Sequence, residues 1–151
     1  MKKTTLTVLL MLTLVGFPLV SWALIPEAKA PPDDAFAALK TSALEHRLLF
    51  SGVESAPMRP LPFWVRYHPL RLWREMSGPP PTHIGTEADG ATRYVLVDAE
   101  GDQITCEMQR RDGAVVWVWL DGPEEKARQI KAIRGQLRAA MPWVPVSCPW
   151  Q

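Results

Sequence analysis

Residues 93–120 read RYVLVDAEGDQITCEMQRRDGAVVWVWL and decide the fold, because three apolar stretches are separated here by two turn sequences. The pattern predicts strands over 93–97, 103–109 and 114–120. Asp112-Gly113 favours a tight hairpin between the second and third strands. The stretch therefore predicts an antiparallel β-meander.

The second and third strands differ in the faces that they bury. In the second, Ile104 and Met108 alternate with polar residues, as expected for a strand with one face in water. In the third, Val116 points to one face and Trp117 and Trp119 to the other, so both faces are apolar. Both faces of the predicted sheet must therefore be covered by other parts of the chain.

A C-terminal helix is predicted directly after the meander. Pro123 lies in its first turn, its apolar residues recur on one face, and Pro142 ends it. That face is expected to cover one side of the sheet. Residues 143–148 then return in extended form and can add a fourth strand.

The N-terminal half is predicted to be helical and rich in proline. Asp33 or Asp34 can cap a helix that runs to about Phe50. Two apolar strips on that helix indicate either that it is wedged between two layers or that one strip binds something. The predicted fold is α+β: a three- or four-stranded antiparallel meander covered by the C-terminal helix, with the proline-rich half on the other face.

The chain divides into a leader, a spacer and one domain. Residues 1–23 are predicted to be a signal peptide, and residues 24–34 an extended tail outside the core. A single α+β domain occupies 35–148, in which 35–77 is helical and basic-aromatic, 78–91 is a Pro/Gly linker and 92–148 is a ββββ/α part.

The N-terminus has the three parts of a secretory signal. Lys2 and Lys3 precede the apolar run 6–20, and small residues follow it. Gly16 and Pro18 are expected to interrupt the helix before a cleavage site.

Cleavage is predicted after Ala23, in Ser-Trp-Ala. A second small-residue site ends at Ala30, but Pro31 follows it and disfavours attack. An uncleaved membrane anchor is the alternative, and it is disfavoured because the run is shorter than the ~20 residues of a typical span. The protein is therefore predicted to be periplasmic or secreted.

The two cysteines, Cys106 and Cys148, are expected to form a disulfide in an oxidising compartment. This bridge would fasten the C-terminal segment to the second strand of the meander. The sequence contains no Cys-x-x-Cys, so it does not indicate a redox site.

Composition and motifs argue against several classes of function. The formal net charge is +1, and removal of two N-terminal lysines brings the chain close to neutral, which predicts no nucleic-acid partner. His46, His68 and His83 lack metal-ligand spacing, and there is no phosphate loop, dinucleotide fingerprint or nucleophile elbow. The sequence therefore predicts no metal, no cofactor and no catalytic residue.

The most unusual stretch is basic and aromatic and lies within 63–74. If the protein has a binding surface, we expect it to consist of Trp64, Arg66, Tyr67, Arg71, Trp73 and Arg74. Arginine and aromatic side chains carry a large share of interface energy. Alternatively, the aromatic rings cover the open sheet face while the arginines project into water.

These features favour an exported, non-enzymatic accessory protein that binds another macromolecule of the cell envelope, with peripheral membrane contact left open. The alternatives are a periplasmic small-ligand carrier and a hydrolytic enzyme. A carrier would need a pocket lined by Trp117 and Trp119, and a hydrolase would need His46 or His68 beside an acid and a hydroxyl. A binding protein would bury those two tryptophans and expose the aromatic side chains of 63–74.

Overall fold

A five-stranded sheet organises the protein, whose computed structural model describes residues 2–79 and 85–150. The order across the sheet equals the order along the chain: β1 (Leu49–Ser55), β2 (Gly90–Val97), β3 (Gln103–Arg111), β4 (Ala114–Asp121) and β5 (Val146–Ser147). Strands β1 to β4 are antiparallel, and β5 is parallel to β4.

The helices occupy both ends of the chain and the segment between β1 and β2. They are α1 (Lys2–Leu24), α2 (Pro32–Glu45), α3 (Phe63–Arg66), α4 (Pro69–Ser77) and α5 (Ala127–Ala140), with a short 3₁₀ turn at Glu124–Lys126. The mixed α+β class, the mostly antiparallel sheet and the C-terminal helix are confirmed. The described residues form five strands, however, instead of three or four.

The predicted meander is present as β2, β3 and β4. Asp98 holds the first turn, because its carboxylate accepts the backbone N–H groups of Glu100 and Asp102 at 2.9 Å each. In the second turn, Asp112 and Gly113 have φ angles of 52° and 77°, which is the left-handed conformation that a tight hairpin requires.

Strand β1 replaces the end of the predicted first helix. Helix α2 ends at Glu45, Arg47 takes a φ of 55°, and the Leu48 N–H donates to the Ala43 carbonyl at 2.8 Å. The prediction of helix as far as Phe50 is therefore wrong. All side chains of β1 are exposed, so it lacks the alternation that identifies half-buried strands.

The main core lies between one face of the sheet and the paired helices α2 and α5. Its largest fully buried side chains are Leu39, Leu96, Ile104, Leu120, Ile130, Ile133 and Leu137. The expectation that the N-terminal helix lies on the opposite face from α5 is wrong. Helix α2 presents Ala35 and Ala43 beside Leu39, and small residues allow close packing in this layer.

The proline-rich segment covers the opposite face of the sheet. Leu61 and Val65 pack there against Val116 and Trp117 in a second, smaller core. This part of the predicted layering is confirmed, although the covering segment is α3 and its preceding loop instead of a long helix. The expectation that Val116 and Trp117 lie on opposite faces is wrong, because the β3–β4 register shifts between Gln109 and Arg110.

The predicted tail 24–34 packs onto the domain, and the predicted linker 78–91 leads into the sheet. In 24–34, Ala28 and Ala30 are buried, and Ala30 exchanges two backbone hydrogen bonds with Val115 at 2.9 and 2.8 Å. In the predicted linker 78–91, Gly90 begins β2, while 80–84, with His83, lie outside the described residues.

Helix α1 is continuous through Gly16 and Pro18, so the expected interruption there is wrong. Its large apolar side chains are exposed, which is compatible with a signal sequence. Lys3–Trp22 is also long and apolar enough to cross a membrane.

Cys106 and Cys148 are free and buried, so the predicted disulfide is wrong. Cys106 pairs with Leu120 across β3 and β4, and β5 continues to Cys148 on the other side of β4. Two strand spacings of 4.7–4.9 Å put the Cα atoms about 9.5 Å apart. A disulfide requires a Cα–Cα distance of about 7 Å or less.

Both thiols should therefore be protected and reduced in the native protein. Burial raises the pKa of the Cys106 thiol to about 12, and the Cys148 Sγ donates to the Trp150 carbonyl at 3.2 Å. We expect neither to react with a thiol reagent until the protein is denatured, when both react without added reductant. If denatured protein reacts only after reduction, a disulfide exists.

Candidate binding site

Helix α4 has an inverted polarity, with apolar side chains outside and an arginine inside. Leu70, Trp73 and Met76 share one face at spacings of three residues, and their exposed fractions are 49%, 72% and 69%. Arg71 on the opposite face is only 8% exposed. Helix packing normally produces the reverse arrangement.

The short helix α3 adds two further exposed aromatic side chains. Phe63 and Trp64 are 64% and 53% exposed, whereas Val65, the next residue, is buried in the second core. We call this patch the aromatic surface, and its members are Phe63, Trp64, Leu70, Trp73 and Met76.

The predicted binding residues do not all lie on one surface. Trp64 and Trp73 belong to the aromatic surface. Tyr67 is half-buried with its ring centroid 5.2 Å from that of Phe63, and the Arg66 guanidinium lies 5.7 Å above the Tyr67 ring. Arg66 also forms an ion pair with a glutamate, Glu87.

Arg71 belongs instead to a partly buried charge cluster. Its Nη2 donates to the Gly85 carbonyl at 2.9 Å and to Asp112 Oδ2 at 2.7 Å. Glu75 and Glu27 carboxylate oxygens lie 2.8 and 3.6 Å from its guanidinium. These contacts fasten α4 to the β3–β4 turn, so Arg71 is structural at this surface.

Arg74 is exposed but is also paired, since its Nη2 lies 3.4 Å from Glu27 Oε2. The sequence analysis did not identify Glu27, which lies in the predicted tail 24–34, or Leu70 and Met76 as parts of this site. The three-residue spacing of Leu70, Trp73 and Met76 on α4 could have indicated the two apolar residues.

A buried carboxylate fastens the proline-rich segment to the sheet. Glu107, 2% exposed, accepts hydrogen bonds from Arg59 Nε at 2.6 Å and Arg93 Nη2 at 2.8 Å. Beside it, Gln109 accepts the Arg59 N–H at 3.1 Å and donates to the Pro57 carbonyl at 3.2 Å. These bonds fix the chain just before α3.

Trp117 and Trp119 are covered by the protein's own side chains. Their rings pack at 5.9 Å, and Trp117, 9% exposed, donates through Nε1 to Ser147 Oγ at 3.1 Å. The Arg59 guanidinium lies 5.0 Å above the Trp119 ring. Both tryptophans therefore act as packing residues.

The described histidines are not arranged for acid–base chemistry. His68 is 2% exposed, and its Nε2 lies 2.5 Å from the Ile25 carbonyl oxygen. His46 Nε2 is buried with no hydrogen-bond partner. Within residues 2–79 and 85–150, neither imidazole bonds a carboxylate or a hydroxyl.

An acidic cluster at the β2–β3 turn is neutralised by a lysine. Lys126 Nζ lies 2.8, 2.9 and 3.5 Å from carboxylate oxygens of Asp98, Glu100 and Asp102. The hydrogen bond from Lys126 is the main reason that the pKa of Asp98 is lowered. The ammonium group therefore takes the position where a cation would bind.

The aromatic surface adjoins the end of α1. Trp22 stacks on Phe63 with ring centroids 5.7 Å apart. A cavity of about 260 Å³ lies beside this contact and is lined by Trp22, Trp64 and Trp143, among others.

The chain matches no family model, and no curated protein or solved structure matches it either. The geometry above is therefore the basis on which a function can be argued.

Removal of the Glu107 carboxylate should destabilise the fold, because it leaves Arg59 and Arg93 unpaired beside a buried position. We expect Glu107→Ala to lower the free energy of unfolding by about 1–3 kcal/mol, because the Arg59 and Arg93 side chains left behind are 36% and 29% exposed and can be hydrated. Glu100→Gln, at an exposed carboxylate, should have little effect. Chemical denaturation measures both.

The ion pairs of Glu107 also predict that the stability of the fold depends on pH. Burial raises the pKa of Glu107, but hydrogen bonds from Arg59 and Arg93 outweigh it and hold the pKa below the ordinary 4.5. The ionised Glu107 carboxylate therefore contributes fully to the free energy of unfolding above about pH 4.5. This contribution is lost as the pH falls through the lower pKa of the native state. Unfolding of Glu107→Gln should be less sensitive to acid. An unchanged acid dependence would contradict this role.

Proposed function

We propose that this chain is an exported, non-enzymatic accessory protein that binds another macromolecule of the cell envelope through the aromatic surface. One observation carries the proposal: Trp117 and Trp119 are used for packing, whereas Trp64 and Trp73 are 53% and 72% exposed. Exposed clusters of large apolar side chains are typical of interaction sites in soluble domains.

The aromatic surface has the chemistry of an interface centre. Burial of a large apolar side chain contributes about 1.5–3 kcal/mol, so a few residues of this kind can support binding. Tryptophan and arginine are also enriched among residues that dominate binding energy. Arg66 and Arg74 border the surface and can contribute a polar rim.

The same observations disfavour the two alternatives. A carrier with a pocket between Trp117 and Trp119 would require space that Arg59 and Leu61 occupy. A hydrolase would require His46 or His68 in a hydrogen-bonded group with an acid, and the partner of His68 is a backbone carbonyl.

Export rests on α1, and the docked segment after it favours cleavage after Ala23. Cleavage after Ala30 would remove Glu27, which pairs with Arg71 and Arg74, and Ala28, which is buried. Cleavage after Ala23 keeps these contacts in the mature chain.

Peripheral membrane contact is a second candidate function. If α1 is retained as a membrane anchor, the stacking of Trp22 on Phe63 holds the aromatic surface beside the end of that helix, whereas cleavage after Ala23 removes this contact. Tryptophan and arginine side chains are common at membrane–water interfaces. A bilayer surface would then be the macromolecular partner.

Intact-mass measurement of the protein purified from the envelope tests the processing step. We expect a mature chain that begins at Leu24, and we expect Ala23→Arg to retain the precursor because the substitution removes the small residue at the site. A chain beginning at Pro31, or unprocessed protein, would contradict the proposal.

Site-specific photo-crosslinking tests the aromatic surface. A photoreactive residue in place of Trp73 should give a discrete adduct in cells, and Trp64→Ser in the same chain should weaken it. Leu44 provides a matched control, because it is 77% exposed but lies on α2. A protein adduct supports the first function and a lipid adduct the second. Identical adducts from both positions would refute the proposal.

A further inference from the structure

Arg111, at the end of β3, is a buried cation with two guanidinium nitrogens that no described residue hydrogen-bonds. It is 3% exposed, and its Nε and Nη1 atoms have no hydrogen-bond partner among the described residues. Burial, and then the charge of Arg71, lower the pKa of Arg111. An unpaired buried guanidinium is costly, because charged donors lose water without gaining acceptors.

The guanidinium group of the neighbouring Arg71 has hydrogen-bond acceptors. Arg71 takes up the nearby acceptors, because it donates to Asp112 Oδ2 and the Gly85 carbonyl and pairs with Glu75. Arg111 therefore lies close to acidic residues that form their ion pairs with Arg71.

Arg111 lines a cavity of about 210 Å³ between α4 and the β3–β4 turn. The charged groups around this cavity are Lys29, Arg71, Arg74, Arg111, Glu27 and Asp112. Four cations and two carboxylates give the lining an excess of positive charge. Water occupies about 30 Å³ per molecule in the liquid, so the cavity is large enough for a small anion.

We propose that this cavity binds a compact oxyanion of the phosphate or carboxylate class, with Arg111 as its principal ligand. Guanidinium groups donate several hydrogen bonds to such oxyanions in a fixed planar geometry. The bound anion would supply the acceptors that Arg111 lacks and would balance the excess charge. The proposal is independent of the aromatic surface and does not rest on the proposed function.

Two sources can present this chemistry. One is a free anion in solution, and the other is a phosphate headgroup at a membrane surface. Arg74 is exposed and lies one residue from Trp73 of the aromatic surface, so a headgroup could approach from that side.

Binding can be measured on the envelope-purified protein at constant ionic strength, with inorganic phosphate and acetate as probes and chloride as the reference. We expect at least one oxyanion to raise the thermal midpoint saturably, with a Kd of about 1 mM or tighter by calorimetry. No saturable binding, or an equal response to chloride, would overturn the proposal and leave water as the partner of Arg111.

Two substitutions assign the site. Arg111→Met should weaken binding at least about tenfold, whereas Arg128→Met, at an exposed arginine on α5, should not change the Kd. If Arg111→Met fails to fold, Arg111→Lys keeps the charge but loses the planar fork, and it should also weaken binding. Wild-type affinity in either Arg111 variant would overturn the assignment.

Vesicles containing phosphatidic acid identify the source of the anion. Displacement of bound phosphate by these vesicles, but not by phosphatidylcholine vesicles, supports a lipid headgroup as the source. Saturable phosphate binding that vesicles do not displace supports a free anion.

Discussion

The contact between Glu107 and its two arginines is the constraint on which the second face of the sheet depends. A carboxylate in the middle of β3 would be costly if it faced only apolar residues, and it becomes acceptable because Arg59 and Arg93 approach it from two sides. Arg59 belongs to the irregular chain before α3, so this ion pair attaches a proline-rich segment that has few regular hydrogen bonds of its own. The position of α3 and α4, and hence of the aromatic surface, follows from that attachment.

The two short helices use their side chains differently from α2 and α5. Helices α2 and α5 bury apolar residues and expose charges, which is the usual solution for a soluble domain. Helix α4 buries Arg71 and exposes Trp73, and it is held by ion pairs instead of by an apolar face. Its apolar side chains therefore contribute little to the fold and remain free to contact another surface.

The sequence predicted the parts of the fold in which local patterns and tertiary packing agree. The strands β2, β3 and β4 alternate or are continuously apolar, and α5 has clear boundaries at Pro123 and Pro142. Strand β1 could not be predicted, because both of its faces are exposed, which removes the alternation, and because Phe50 continues the helical spacing of α2. For the site, Trp64 and Trp73 could be predicted from composition, but the burial of Arg71 could not, since it depends on Glu27 and Asp112, distant in sequence.

The arrangement of Cys106 and Cys148 on either side of β4 has a consequence for how the chain matures. Each thiol fills core volume as a small apolar group, and the intervening Leu120 keeps the two sulfur atoms from meeting in the native sheet. Acquisition of the native state thus consumes no oxidant and requires no disulfide isomerase. The domain's folding is independent of the redox potential of its surroundings, so the same core can form in a reducing or in an oxidising compartment.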